Sequence, residues 1–233
     1  MKYISFYFTL WTLSYWFISL LPLPKPPHGH PTLKLKDVLD VRNRIISFFH
    51  GSLQIALSGN LYFQMSGECG QKNTLQERML INISVGYFLY DFVALWFYGL
   101  IDVAMVIHHT VCVIGMVIPL NSGVSANFVV MAIFIGEISN PFLHLRSVIR
   151  QYGMKNTLVY DVVDYSFAGL FCFCRIYFGV QAVWSNINCE RNHILVKLSS
   201  CGLLLHSIYF IFTILGILRK KVKDRKQRLF HKI

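Results

Sequence analysis

Seven apolar runs, each close to the length that crosses a bilayer, constrain this chain more than any other feature. They lie at roughly 3–23, 44–63, 79–99, 102–120, 124–142, 158–182 and 195–218, and a spanning helix needs about 20 predominantly apolar residues. Within lipid each backbone N–H and C=O has to be satisfied inside the protein, so runs of this length are read as helices. Bulk numbers agree. Of 233 residues 55% are apolar and 14% charged, whereas soluble domains average roughly a quarter charged. The expected fold class is an all-α polytopic membrane bundle of about seven transmembrane helices, in one domain without internal repeats.

Local signals set the ends of the runs. Pro22, Pro24, Pro26 and Pro27 stop the first, because proline lacks the backbone donor and fixes φ. The fourth and fifth are joined by Asn121-Ser122-Gly123, which predicts a tight helical hairpin. The first run is longer than the apolar stretch of a signal peptide, rich in aromatics and without a small-residue cleavage site. A retained helix is expected, with cleavage as the alternative.

Charge gives the orientation. With seven helices and a cytosolic C-terminus, Lys25, Lys34, Lys36, Arg42, Arg44, Arg146, Arg150, Lys155 and eight tail residues fall inside. Lys2, Lys72, Arg78, Arg191 and Lys197 fall outside, which fits the positive-inside rule. The tail cations are Arg219, Lys220, Lys221, Lys223, Arg225, Lys226, Arg228 and Lys232. Beside an apolar helix they read as an anchor to anionic lipid rather than a nucleic-acid surface, so the net charge of +11 implies membrane lipids as partners and no nucleic acid. The oligomeric state is left open. The chain divides into an N-terminal helix and linker (1–39), a helical domain (40–218) and a basic tail (219–233).

The six cysteines suggest no metal framework. Cys172 and Cys174 project about 160° apart on a helix, and Cys112 and Cys201 sit in apolar runs where a thiol is usually a small hydrophobe. Cys69 and Cys189 fall in outer loops; a disulfide between them is expected, with two unpaired cysteines as the alternative. No cofactor is expected.

Ionisable side chains inside a span are costly and mark function by default. Here they are His50, Asp91, His108, His109, Glu137, Asp161, Asp164, Arg175 and His206. At about 1.5 Å rise per residue, five helices each bring one of them to a similar depth of roughly 7–12 Å from the inner end: His50, Asp91, His108, Glu137 and Asp164. The common depth predicts one polar cavity open to the inner leaflet, with Glu137 within about 6 Å, a water-bridged distance, of His108 or His109. The plainer alternative is that each group only hydrogen-bonds a neighbouring helix, worth about 0.6 kcal/mol. The adjacent histidines project about 100° apart and suit a metal poorly. An imidazole beside an acid suits proton transfer. Arg175, about 25 Å from the inner end of its helix, is expected at the far interface or on a loop carbonyl, and His206 in an interhelical hydrogen bond.

At these residues the sequence resembles the TLC domain family of TRAM, Lag and CLN proteins. The likeness runs through Arg42-Asn43-Arg44, His50, Gly86-Tyr87, Asp91, His108-His109, Glu137-Ile138-Ser139-Asn140-Pro141-Phe142 and Arg175-Ile176, covering roughly 40–218. The resemblance implies a six-helix core around a lipid-accessible cavity and residence in the endoplasmic reticulum, another endomembrane or the plasma membrane. In the family's ceramide synthases, paired histidines and two downstream aspartates serve acyl transfer from acyl-CoA to a sphingoid amine. The histidines match His108 and His109; the aspartates fall at Glu137 and Asn140, so the second acid is absent here.

Three functions follow as expectations. The first is binding or regulation of membrane lipids. The second is an acyltransferase with acyl-CoA as co-substrate, in which His108 or His109 is the base, Glu137 orients it, and His50, Asp91, Asn140, Asp161 and Asp164 hold substrate. The third is solute transport, for which the Asn140-Pro141 helix end is the one broken-helix feature in the sequence.

Overall fold

The computed structural model describes residues 2–29, 32–65 and 67–230, with 224–226 and 228–230 described by backbone alone; Lys232 and the other residues after Phe230 lie outside the described residues. Its helices are α1 (Lys2–Leu20), α2 (Leu35–Tyr62), α3 (Leu75–Phe97), α4 (Val103–Ser122), α5 (Ala126–Glu137), α6 (Asn140–Gln151), α7 (Leu158–Phe173), a π-helical turn (Cys174–Phe178), α8 (Gly179–Asn188) and α9 (Ile194–Phe230). Two pairs continue one another, α5 with α6 and α7 with α8, so the described residues form seven rods. Five are long and apolar enough to cross a membrane: Leu75–Phe97, Val103–Ser122, Ala126–Gln151, Leu158–Asn188 and Ile194–Lys223. The other two, α1 and α2, have 19 and 28 residues.

Side-chain caps set several of the starts. Thr74 and Glu77 form a reciprocal capping box on α3, with Glu77 Oε2 accepting from Thr74 N at 2.7 Å and Thr74 Oγ1 from Glu77 N at 3.2 Å. Asp102 accepts from Met105 N at 2.8 Å to open α4, and Thr157 from Tyr160 N at 3.2 Å to open α7. The break at Ile138-Ser139 follows from Pro141, which has no N–H for the Glu137 carbonyl and crowds it.

The rods pack in a ring, α2, α3, α4, α9, α7–α8, α5–α6 and back to α2, with α1 outside against α3 and α2. Gly86 lets α1 come close: a Cβ there would lie 2.8 Å from Phe8 N. Two expected boundaries change. The second rod begins at Leu35, not 44, because its first turns carry polar residues that solvent and headgroups satisfy. The last continues through the basic segment to Phe230.

One end of the bundle is bound together by covalent and hydrogen bonds. Cys69 and Cys189 form a disulfide across 120 residues. Ser125 N donates to Gln71 O at 2.8 Å, Asn73 N to Gly123 O at 2.9 Å, and Asn127 Nδ2 to Glu68 O at 3.0 Å. Gly123, at φ 74°, makes the left-handed turn of the predicted hairpin.

Candidate functional site

The α2 helix turns its polar side inward. Asn43, Ser47, His50, Gln54 and Ser58 recur at three- and four-residue spacing and are all buried, while Phe49, Leu53 and Leu57 are exposed. This stripe faces α3, α5 and α6, and two acid–imidazole pairs form along it.

The first joins α2, α3 and α4. Asp91 Oδ2 lies 2.8 Å from His109 Nε2, and Asp91 Oδ1 accepts from Asn43 Nδ2 at 2.7 Å. Asn43 Oδ1 accepts from Tyr90 Oη at 2.8 Å. His109 Nδ1 lies 2.9 Å from the Met105 carbonyl. A carbonyl only accepts, so Nδ1 carries a proton, and the Nε2–Asp91 contact holds one more proton between its two atoms. Both nitrogens of His109 are thereby occupied.

The second pair joins α2 and α5. His50 Nδ1 lies 4.0 Å from Glu137 Oε1, beyond direct hydrogen-bond length. The His50 ring stacks on Tyr87 at 3.6 Å and meets the edge of Trp11 at 5.5 Å. Glu137 Oε2 accepts from Asn140 Nδ2 at 2.8 Å. Gly51 makes room for this carboxylate, since a Cβ there would stand 3.0 Å from Glu137 Oε2.

Several polar atoms on α2, on the elements packed against it and in the π-helical turn are buried without a protein partner: His50 Nε2, both polar atoms of Gln54, Ser84 Oγ, Ser139 Oγ, His144 Nδ1 and Arg175 Nε. Gln54 is fully buried. Native proteins leave few such atoms, and each implies a bound water or ligand group. Gln54 and Ser84 lie one turn beyond the stacked His50 and Tyr87 on their respective helices, on the side nearer the disulfide.

A TLC-domain family model (TRAM, LAG1, CLN8) matches residues 40–219. The chain belongs to the TLC-domain family. A relative, TLC domain-containing protein 2 of Danio rerio, is 28% identical over 115 residues, 48% of this chain and 46% of that protein. The matched stretch therefore spans about half of that relative's length.

In this TLC-domain chain the predicted site residues divide into groups. His50, Asp91, His109, Glu137 and Asn140 are brought together in the core, on α2, α3, α4, α5 and α6. Asp161 and Asp164 are not. They pair with Lys221 at 2.9 and 2.5 Å, and Asp164 also pairs with Arg146, in the quadrant of α6, α7 and α9. His108 turns away from His109, as neighbours on a helix must. Its ring stacks on His206 of α9 at 4.9 Å and touches Cys112 Sγ at 3.7 Å.

Two expectations are corrected and one neighbour is added. The imidazole within ion-pair distance of Glu137 is His50, on the helix that packs against α5. Asp164 lies outside the shared group, because depth along a helix does not fix the direction in which a residue points. Arg175 reaches neither the far interface nor a loop: Nη2 donates to the Gly136 carbonyl at 3.0 Å, beside the break before Pro141. The residue sits in the π-helical turn, so the two interrupted rods meet at their interruptions. His206 of α9 stacks on His108 and hydrogen-bonds the Ala104 backbone, both on α4, as the sequence predicts.

Sequence reasoning gave no site role to Asn43, Gln54, Tyr87, Tyr90, Ser139 or His144, although Asn43, Tyr87 and Ser139 fell within the motifs that carry the family resemblance. His144 had a signal: Glu137, Asn140 and His144 are spaced i, i+3, i+7, one helical face. His144 lies within electrostatic reach of Arg44 and Asp91. Gln54 and Tyr90 carried none, since polar residues of these types are common in spanning helices.

Proposed function

We propose that this chain binds a membrane lipid by its polar end within the six-helix core, and through that binding regulates membrane lipids. The reading is carried by these buried atoms without partners, above all those of Gln54 and His50 Nε2. In a bundle whose outside is apolar, a buried polar cluster of this kind suits a headgroup with hydroxyl, amide or amine functions, which both donate and accept. The interruption at Ile138-Ser139 adds backbone groups to the same place. Likeness to TLC-domain-containing protein five, at His108-His109-Thr110 and Asp161-Val162-Val163-Asp164, belongs to this proposal. So do an endomembrane address and a C-terminus in the cytosol.

The test is native mass spectrometry of the purified chain with its co-purifying lipid. Gln54→Leu and Glu137→Gln should each lower lipid occupancy about tenfold, the scale of one lost hydrogen bond to a charged or buried group. Unchanged occupancy in both variants would end the reading.

A second reading, N-acyl transfer from acyl-CoA, is favoured by one observation: His50 keeps a free ring nitrogen while its other nitrogen faces Glu137. The amine of the acceptor would attack the thioester carbonyl, His50 would take the amine proton, and the CoA thiolate would leave. His109, with both nitrogens occupied, would orient Asp91 rather than act as the base. Loss of acyl transfer in His50→Gln with retained lipid binding would separate this reading from the first.

A further inference from the structure

The α1 helix lies outside the residues matched by the family, and its seam with α2 holds a groove of about 710 Å³. Leu10, Leu13, Phe17 and Ile18 line it from α1, and Ile45, Ile46 and Phe49 from α2. Its walls are almost wholly apolar. One end meets Trp11; the other reaches Leu21 and Pro22, where α1 stops.

Arg42 stands at that second end. It precedes Ile45 and Ile46 by one turn on α2, and its Nη2 donates to the Leu21 carbonyl at a long 3.4 Å. Its Nε is buried without a partner, and among the described residues no carboxylate is within ion-pair distance of it. Arg44, two residues on, is paired with Asp40 at 2.8 Å; Arg42 is not. The hydroxyl of Tyr15 lies within electrostatic reach of the guanidinium.

Depth places this charge. The 28 residues of α2 extend about 42 Å, more than the roughly 30 Å hydrocarbon core, so the first turns of the helix lie at headgroup level. A guanidinium with spare donors at that level, above an apolar groove that runs toward the membrane centre, matches an amphiphile with a phosphate at its head.

We propose that the α1–α2 groove seats one acyl chain of a phospholipid whose phosphodiester is held at the mouth by Arg42. The site is separate from the six-helix core. Trp11 divides them, its ring packed against His50 and its Nε1 donating to the Ile83 carbonyl at 3.3 Å.

The test titrates the full chain, in detergent, with dioleoyl-phosphatidylcholine, dioleoyl-phosphatidylglycerol and dioleoylglycerol, and counts bound lipid by native mass spectrometry. Both phospholipids should bind and dioleoylglycerol about tenfold more weakly. Arg42→Gln should weaken phospholipid binding about tenfold, Arg42→Lys less, and Leu13→Trp, which fills the groove, should abolish it. Leu205→Trp, on the exposed face of α9, should change nothing, which controls for a general effect of a large aromatic. The Arg42→Gln effect should be the same with Glu137 or Gln at position 137, because the core site does not contribute to it. Equal binding of dioleoylglycerol, or an Arg42→Gln effect seen only with Glu137 intact, would overturn the proposal. Equal phospholipid binding by Arg42→Gln and the unaltered chain would overturn it too.

Discussion

Two polar groups sit within the bundle and differ in how far the protein satisfies them. In the quadrant of α6, α7 and α9, Asp161 and Asp164 face Lys221 and Arg146, and each cation also lies over an aromatic ring, Lys221 at 5.0 Å from Tyr160 and Arg146 at 5.6 Å from Phe167. Charge is balanced there, and the pairs reach the partly exposed end of α9. In the core along α2, the acids are paired with imidazoles, yet Gln54, Ser84 and Ser139 have no protein partner. A satisfied cluster joins helices; an unsatisfied one has capacity left for a ligand. Membrane burial alone therefore does not identify a site, and the balance of donors and acceptors does.

The largest effect should come from Asp91→Ala. It leaves His109 and Asn43 buried without their shared acceptor, which should cost about 3–5 kcal/mol in unfolding of the detergent-solubilised chain. Asp164→Ala in the other cluster should cost less, because Lys221 keeps Asp161 and both cations are partly exposed, and equal losses would break the contrast.

Next is the disulfide. Cys69→Ser, or reductant, should lower stability by about 2–4 kcal/mol, seen as a lower midpoint in a thermal melt. No shift in reductant would mean that the hydrogen bonds of loop 67–74 hold that end without the covalent link.

Gly51→Val should cost about 1–3 kcal/mol by overpacking, because its Cβ displaces the Glu137 carboxylate. It should also lower lipid occupancy. Gly169→Ala, where nothing lies within 4 Å, is the matched control, and should be neutral or slightly stabilising.

The smallest effect sharpens the comparison from the other side. Asp164→Asn leaves Lys221 with Asp161 at 2.9 Å and an amide oxygen to accept from Arg146, and should leave lipid occupancy unchanged. A lipid loss equal to that of Glu137→Gln would join the two clusters into one site.

The sequence by itself determined the helical class, the seven rods, the hairpin at Gly123 and the residues that carry charge into the membrane. These follow from properties of one segment at a time: apolar length, proline placement and the rise of 1.5 Å per residue. It also supplied the pairing of Cys69 with Cys189 as one of two alternatives, since both cysteines lay in polar loops at the same end. It did not determine partners. Glu137 faces His50 because α2 packs against α5, His109 meets Asp91 because α3 packs against α4, and Asp164 meets Lys221 because α9 continues as a helix beyond Leu218. Depth is set within a helix, but the direction of a side chain turns by about 100° at each residue. Which two faces meet is decided only when the rods pack, and here the interruptions at Pro141 and at the π-helical turn, where Arg175 joins Gly136, reset that direction midway along two of them.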